Sequence, residues 1–308
     1  MGVVAVAGGT GGIGRTIVEQ LQLEKKHEFI ILTRKIPEKP FAGSASAIRV
    51  NYEDVASLTD LFEEKGVDTV ISTIFFHSEA AFNAQMNLIR AAEKSSKTHR
   101  FIPSEFGAIK TAEFAKEEPF VLPWVRTAEY LKKSTLQYTR FVVGFLMDYW
   151  GMPHIQTHMD PYTWAIDVAN YRAAIPGSGD DPISVTYSVD VARFISRSLD
   201  SQDWPEFSIV VGSDVTLNQL LQIVERIRGT KFQVQDDSVE DLRNNQATVL
   251  NEGDGVPREL IEITALFGRV AVSGRLKMPE EGRLNTIYPE IRPTDVEELL
   301  EKAWAGKI

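Results

Sequence analysis

With 308 residues, 43% of them hydrophobic and 25% charged, the chain can bury the core of one large or two smaller globular units. A formal net charge of −10 argues against a nucleic-acid-binding surface, and the absence of cysteine removes disulfides, thiolate nucleophiles and thiolate metal ligands. No apolar run is long enough to span a bilayer and no basic, cleavable leader precedes the first strand, so the expected setting is cytoplasmic, without a membrane partner.

The apolar run Val3-Val4-Ala5-Val6-Ala7 breaks into Gly8-Gly9-Thr10-Gly11-Gly12-Ile13-Gly14 and then into a helical pattern reaching Leu23. A strand, a tight turn and a helix start in that order form the phosphate-binding turn of a dinucleotide fold. Gly8 permits the turn, Gly11 lets the main chain approach a pyrophosphate, and Gly14 lets helix and strand pack closely. Gly8, Thr10, Gly11, Gly12, Ile13 and Gly14 are therefore the expected phosphate-binding residues, with the free N–H groups and positive dipole end of the helix directed at the ligand.

Glu28 to Thr33 reads as a second strand ending at Arg34-Lys35. An acid at that tip would bind a ribose 2′-hydroxyl, whereas cations suit a 2′-phosphate. Arg34 and Lys35 thus point to NADP(H), the alternative being an ordinary solvated basic turn. Pro37, Pro40 and Gly43 make a loop, and Ser46 to Val50 a third strand that closes in Asn51-Tyr52-Glu53-Asp54. A crossover helix with the stripe Leu58, Leu61, Phe62 ends at Gly66, and Asp68 to Ile74 is the fourth strand. Its carboxyl end brings Ser72, Thr73 and Phe75 beside the glycine turn, where Phe75 and Phe76 either pack against a cofactor or fill core. Ala80 to Ala92 is helical and Arg100-Phe101-Ile102 is a fifth strand, so Pro103-Ser104-Glu105-Phe106-Gly107 follows at the ligand edge of the sheet. Ser104 and Glu105 there either orient substrate and move a proton or cap the loop backbone.

With a further strand over Tyr138 to Val143, this alternation predicts an α/β protein: a Rossmann-like, doubly wound parallel sheet over residues 1–150. Beyond it the pattern loosens into Gly/Pro-rich loops, Pro176 to Pro182 being the plainest, with helices over Asp190–Leu199, Leu217–Ile227, Pro257–Phe267 and Asp295–Ala303. Residues 151–308 read as a smaller substrate-binding lobe, packed on the first and interleaved with it. His154 and His158 share an i,i+4 spacing but follow Pro153, which reads as a surface loop; no metal is expected.

Three segments together, Gly8 to Gly14, Arg100-Phe101-Ile102-Pro103-Ser104-Glu105-Phe106-Gly107 and Gly144-Phe145-Leu146-Met147-Asp148-Tyr149, resemble the isoflavone reductase-like branch of the NmrA-like family, which are atypical short-chain dehydrogenases. Thr186 to Phe194 is similar to the family's second-half segment, so the likeness spans most of the chain, and Gly144 to Tyr149 is closer to fungal members. The resemblance implies an NADPH-binding fold and reduction of a phenolic, aromatic or related secondary metabolite. It also implies a lysine, followed four residues later by an arginine, on the helix after the Pro-Ser-Glu-Phe-Gly loop, the lysine serving proton transfer. In this chain Trp124 and Ala128 fall at those positions, and Lys132 and Lys133 lie about 12 Å further along the helix axis.

No Tyr-x-x-x-Lys pair fills the gap. Trp124 lies on an apolar stripe with Val121, Val125, Ala128 and Leu131, a pattern of core packing more than of substrate stacking, while Arg126, Glu129 and Lys133 share the other face, the alternative there being a solvated i,i+3/i+4 charge set. Glu105 and Arg126 are the candidate catalytic residues; Ser104, Phe106, Trp124, Phe145, Met147 and Tyr149 are the candidate lining for a small-molecule substrate. Three functions remain open: an NADPH-dependent reductase, a rearrangement or cyclisation enzyme that keeps the nucleotide as a structural element, and an NADP-sensing regulator of the NmrA type.

Overall fold

Most apolar runs of the first half become parallel strands because an amphipathic helix returns the chain to the same edge of the sheet, the link between the second and third strands being a loop with a short 3₁₀ turn at Ser44–Ser46. In the computed structural model, which describes residues 2–39, 41, 43–250 and 255–307, these elements are β1 (Val3–Ala7), α1 (Gly12–Glu24), β2 (Phe29–Thr33), β3 (Ala47–Arg49), α2 (Val55–Lys65), β4 (Val67–Ser72), α3 (Glu79–Lys94) and β5 (Arg100–Ile102). They continue through α4 (Phe114–Glu117), α5 (Leu122–Leu131), β6 (Gln137–Tyr138) and β7 (Arg140–Val142). Pro40, part of the expected loop, lies outside the described residues.

Six strands form one parallel sheet in the order β3-β2-β1-β4-β5-β6. Its faces are covered by apolar side chains of the helices; Phe62, Val70, Leu88, Ile89 and Phe101 are all fully buried in one cluster. The strand order reverses between β1 and β4, which opens a crevice at their carboxyl ends. Caps set the helix starts: Asp54 accepts from Ser57 N–H at α2, and Ser78 accepts from Ala81 N–H at α3. The start of α1 has only Gly11 and no side-chain cap.

The chain divides into two compact units, Met1–Val142 with Val191–Ser208, and Val143–Asp190 with Ile209–Ile308. The first unit thus ends at Val142 and takes in a segment of the second half. Arg100 explains that return. Its guanidinium donates to the carbonyls of Leu199 (3.1 Å) and Ser201 (3.3 Å), pairs with Asp68 at 2.9 Å and lies 4.9 Å from the Trp204 ring centroid. The strand expected over Tyr138 to Val143 is also broken. Tyr138 pairs with Phe101 in the sheet, whereas Arg140 turns its N–H to the Glu206 carbonyl.

The second unit begins with β8 (Phe145–Leu146), α6 (Asp148–Gly151), β9 (Ile166–Asp167), β10 (Arg172–Pro176) and β11 (Pro182–Thr186). The division cuts α7 (Ser188–Leu199) and β12 (Phe207–Ile209). After them come β13 (Ser213–Thr216), α8 (Leu217–Arg228), β14 (Gln233–Asp237), α9 (Val239–Arg243), α10 (Arg258–Val272), α11 (Leu284–Ile287) and α12 (Val296–Trp304). Two three-stranded sheets, β14-β10-β9 and β13-β11-β8, stand where loops and short helices were expected. Their strands are two to five residues long and one is almost wholly polar, so no periodic signal marks them. No helix among the described residues is long and apolar enough to cross a membrane.

Candidate functional site

The glycine turn has the geometry its spacing predicts. Gly8 has φ +81, and a Cβ there would come within 2.7 Å of Thr73 Oγ1. A Cβ on Gly14 would lie 2.3 Å from Thr73 Oγ1 and 2.5 Å from the Gly8 carbonyl oxygen, so this helix position reaches the strand only as glycine. Gly11 differs: it is exposed, and a Cβ on it would meet nothing within 4 Å. That open space sits at the N-terminus of α1, which has neither a side-chain cap nor an acidic residue in its first turn. Uncapped N–H groups at a positive dipole end are suited to a phosphate.

The neighbouring strand end supplies a second polar feature. Ser72, the last residue of β4, is fully buried, and its Oγ has no hydrogen-bond partner among the described residues. Thr73 is engaged: its N–H and its hydroxyl both donate to the Ala7 carbonyl, at 2.8 and 2.7 Å. Phe75 is 75% exposed, an unusual position for a large apolar ring, while Phe76 packs against Phe82 and Trp124. At the β2 tip Arg34 and Lys35 are exposed, and Lys35 pairs with Glu38. Tyr52, in the segment that closes the third strand, donates its hydroxyl to the Leu32 carbonyl at 2.7 Å and so ties the β3 end to β2. An open backbone turn, a buried unpartnered hydroxyl and the exposed cations of the β2 tip fit a phosphorylated nucleotide within the first unit.

The loop after β5 is built differently from the expectation of a free Glu105 carboxylate. Arg140 clamps Glu105 through Nε to Oε2 at 2.6 Å and Nη2 to Oε1 at 2.7 Å, with side-chain exposures of 4% and 2%. The same guanidinium donates to the Lys110 carbonyl at 2.8 Å and lies 4.6 Å from the Phe207 ring centroid. A carboxylate held in two charge-assisted bonds has its lone pairs committed, so this geometry gives Glu105 a structural task. The clamp also fixes backbone strain, since Phe106 has φ +26, costly for a bulky residue. Pro103 is buried and Ser104 half-buried, with Ser104 N–H donating to Gln85 Oε1 at 2.8 Å.

Trp124 donates its indole N–H to the Ser104 carbonyl at 2.8 Å, which fixes its half-buried ring beside this loop. Lys110 lies across that ring, with Nζ 5.2 Å from the centroid and 3.0 Å from the Glu105 carbonyl oxygen. Burial pushes its ammonium down to about 8; the Glu105 charge works against this and the Arg140 charge with it. Nothing in local sequence distinguishes Lys110, whereas Arg140 is marked in sequence as a lone cation in a strand-like run.

Arg126 is not part of this arrangement. On α5, two residues turn the helix by about 200°, so Arg126 and Trp124 face opposite ways. Its side chain is 60% exposed, lies 4.6 Å from the Phe82 ring centroid and approaches Glu79 at 3.9 Å. It lines a groove of about 310 Å³ between α3 and α5, together with Arg90, Glu129 and Lys133.

The other predicted lining residues belong to the second unit. Phe145 and Met147 are buried, and the Phe145 ring packs on Tyr149, Trp150, Trp164 and Phe267 at centroid distances of 4.7 to 5.9 Å. Tyr149 is half-buried, and burial, aided by the Asp148 charge, pushes its phenol up to about 12. Gly144 adopts φ +69, and a Cβ there would strike the Ser184 carbonyl at 2.0 Å. Asp148 accepts from Ser188 N–H (2.9 Å), Ser188 Oγ (2.5 Å) and Thr157 Oγ1 (2.7 Å), which joins the Gly144–Tyr149 segment to the one beginning at Thr186.

The sequence profile of the NmrA-like family matches residues 1–300. The chain is 28% identical over 337 residues to oxidoreductase swnN of Metarhizium robertsii, with 100% of this chain and 98% of that protein covered. It is 34% identical over 230 residues to oxidoreductase BOA1 of Botryotinia fuckeliana, covering 74% and 77%. Among solved structures, the binary complex of leucoanthocyanidin reductase with NADPH from Vitis vinifera superimposes with a TM-score of 0.72 at 18% identity, over 98% of this chain and 99% of that one. That last likeness is one of fold.

Proposed function

Because the chain belongs to the NmrA-like family, we propose that it is an NADPH-dependent reductase of a small aromatic or other secondary-metabolite molecule. The observation that carries this reading is the open glycine turn at the reversal of strand order, with the unpartnered Ser72 hydroxyl beside it. Two relatives named as oxidoreductases and a fold neighbour in complex with NADPH support the same choice of chemistry.

In this reading Gly8, Thr10 and Gly11 to Gly14 hold the pyrophosphate, Arg34 and Lys35 the 2′-phosphate, and Ser72, Thr73, Phe75 and Pro103 the nicotinamide half. Bound there, the nucleotide supplies a hydride. The chain's part is to orient the acceptor and deliver a proton. Ser104 and Trp124 are the proposed substrate contacts in the first unit, a hydroxyl and an aromatic face suited to a ring-bearing ligand.

Trp124, standing where the resemblance implies a lysine, favours a second reading, a rearrangement or cyclisation with the nucleotide as structural element. One experiment separates the two. Purified protein is titrated with NADPH by fluorescence and incubated with a panel of phenolic and aromatic ketones and enones. A reductase consumes reduced-nicotinamide absorbance in step with product. Product without that loss identifies the non-redox enzyme, and nucleotide binding with no turnover but a stable complex with another protein identifies a regulator. R34A weakens NADP(H) binding far more than NAD(H) binding if Arg34 reads the 2′-phosphate, and an equal loss for both refutes that role.

A further inference from the structure

A reductase needs a proton donor as well as a hydride, and neither residue predicted from sequence supplies one. Glu105 is committed to Arg140, and Arg126 lies on the far face of α5. Within the first unit the loop that leaves β5 carries another ionisable group, the buried Lys110. Resting on the reductase reading, we infer that Lys110 is the proton donor of this site, held there by the Glu105 carbonyl and the Trp124 ring.

The position follows from the fold. Lys110 lies in the loop that leaves β5, and its ammonium lies over Trp124, whose ring is 4.8 Å from that of Phe76 just beyond β4. The carboxyl ends of β4 and β5 are the half of a doubly wound sheet on the nicotinamide side of the reversal point. Burial without a counter-ion is the second observation. Lys110 is 8% exposed, and among the described residues no carboxylate oxygen lies within salt-bridge distance of Nζ. Its hydrogen-bond acceptor is one backbone carbonyl, which leaves two of the three ammonium N–H bonds for other use. Buried lysines of this kind are expensive in stability and cluster at functional sites.

The charged groups that face Lys110 are the Glu105 carboxylate and the Arg140 guanidinium, paired with each other. The ammonium therefore keeps its proton at neutral pH while holding it more loosely than a surface lysine does. In the step itself, hydride from the reduced nicotinamide nucleotide adds to the electrophilic carbon of a C=O or C=C acceptor. The π pair moves to the far atom, an N–H bond of Lys110 breaks, and the proton closes that atom's new O–H or C–H bond. A neutral amine remains, and water reprotonates it. An arginine could not serve in this way, because its guanidinium stays charged.

The test follows the lysine side-chain signals of the full-length chain, labelled with 13C at Cε, as pH is raised. The signal absent from K110M identifies Lys110; K110R, which keeps the charge over Trp124, serves the same purpose where K110M does not fold. The expected result is titration near 8, and a midpoint about half a unit to one unit lower with saturating NADP+ than with NADPH, because only the oxidised ring is positively charged. A midpoint at the ordinary lysine value, or midpoints equal in the two nucleotides, overturns the assignment while leaving the nucleotide site intact. Failure of either nucleotide to perturb any signal overturns the reductase reading along with it. In any turnover detected with the substrate panel, K110R lowers kcat by about 100-fold or more at little-changed KM for NADPH, and an unchanged kcat likewise overturns the proposal.

Discussion

Replacing Glu105 by glutamine separates a structural carboxylate from a catalytic one. Glu105 and Arg140 are joined by bonds of 2.6 and 2.7 Å, with both side chains almost fully buried. E105Q preserves shape and one acceptor atom but leaves the guanidinium facing an amide. Its remaining contacts are the Lys110 carbonyl, the Phe207 ring and the half-exposed Glu206 carboxylate at 3.5 Å. Removing one partner of a buried ion pair costs about 3–5 kcal/mol, and the retained contacts place E105Q near the lower end, about 3 kcal/mol. For a unit of this size that corresponds to a fall in Tm of about 6–12 °C. R140M falls by a similar amount, whereas E105L/R140M regains much of the loss, because neither member of the pair is then left buried without the other. Urea and thermal unfolding of the full-length chain, followed by circular dichroism, measure all three variants. An E105Q protein within about 0.5 kcal/mol of the parent, with an altered pH profile of turnover, would refute the reasoning and return Glu105 to proton transfer.

G14A brings a Cβ to 2.3 Å from Thr73 Oγ1 and 2.5 Å from the Gly8 carbonyl, so both folding stability and nucleotide binding fall. G11A has free space and a φ of −155, and its Tm stays within about 1 °C of the parent. Its NADPH affinity nevertheless drops by about tenfold or more, and isothermal titration showing equal Kd values would remove Gly11 from the phosphate site. R126A changes stability by less than about 0.5 kcal/mol and turnover by less than about twofold, since the exposed side chain makes a 3.9 Å approach to Glu79 and a solvent-facing contact with the Phe82 ring. The folded-state value of Lys110, about 8, lies below its ordinary 10.5. Below pH 8 both folded and unfolded chains hold the proton and the cost of burial acts in full. Between 8 and 10.5 the unfolded chain retains a proton the folded chain has released, so stability rises with pH relative to K110M, by up to about 3 kcal/mol. Unfolding of both proteins across that window measures the difference, and a constant gap excludes the depressed value.

The local part of this protein is written in its sequence. Gly8, Gly11 and Gly14 announce the turn because backbone geometry there admits no side chain or must leave room for a ligand, and the apolar periodicity of residues 3 to 102 marks the first five strands. Arg34 and Lys35 could be placed at a strand tip for the same reason. The second unit was hidden, since strands as short as Ile166–Asp167 or as polar as Gln233–Asp237 carry no period to read. What only the tertiary structure decided were the roles of charged groups. The partner of Glu105 stands 35 residues away, the Trp124 ring that covers Lys110 comes from a separate helix, and a two-residue step along α5 sends Arg126 to solvent. A carboxylate, a lysine and an arginine look alike in sequence whether they are free, buried or paired. Burial and the nearest opposite charge determine their chemistry, and both are set by contacts between segments distant in the chain.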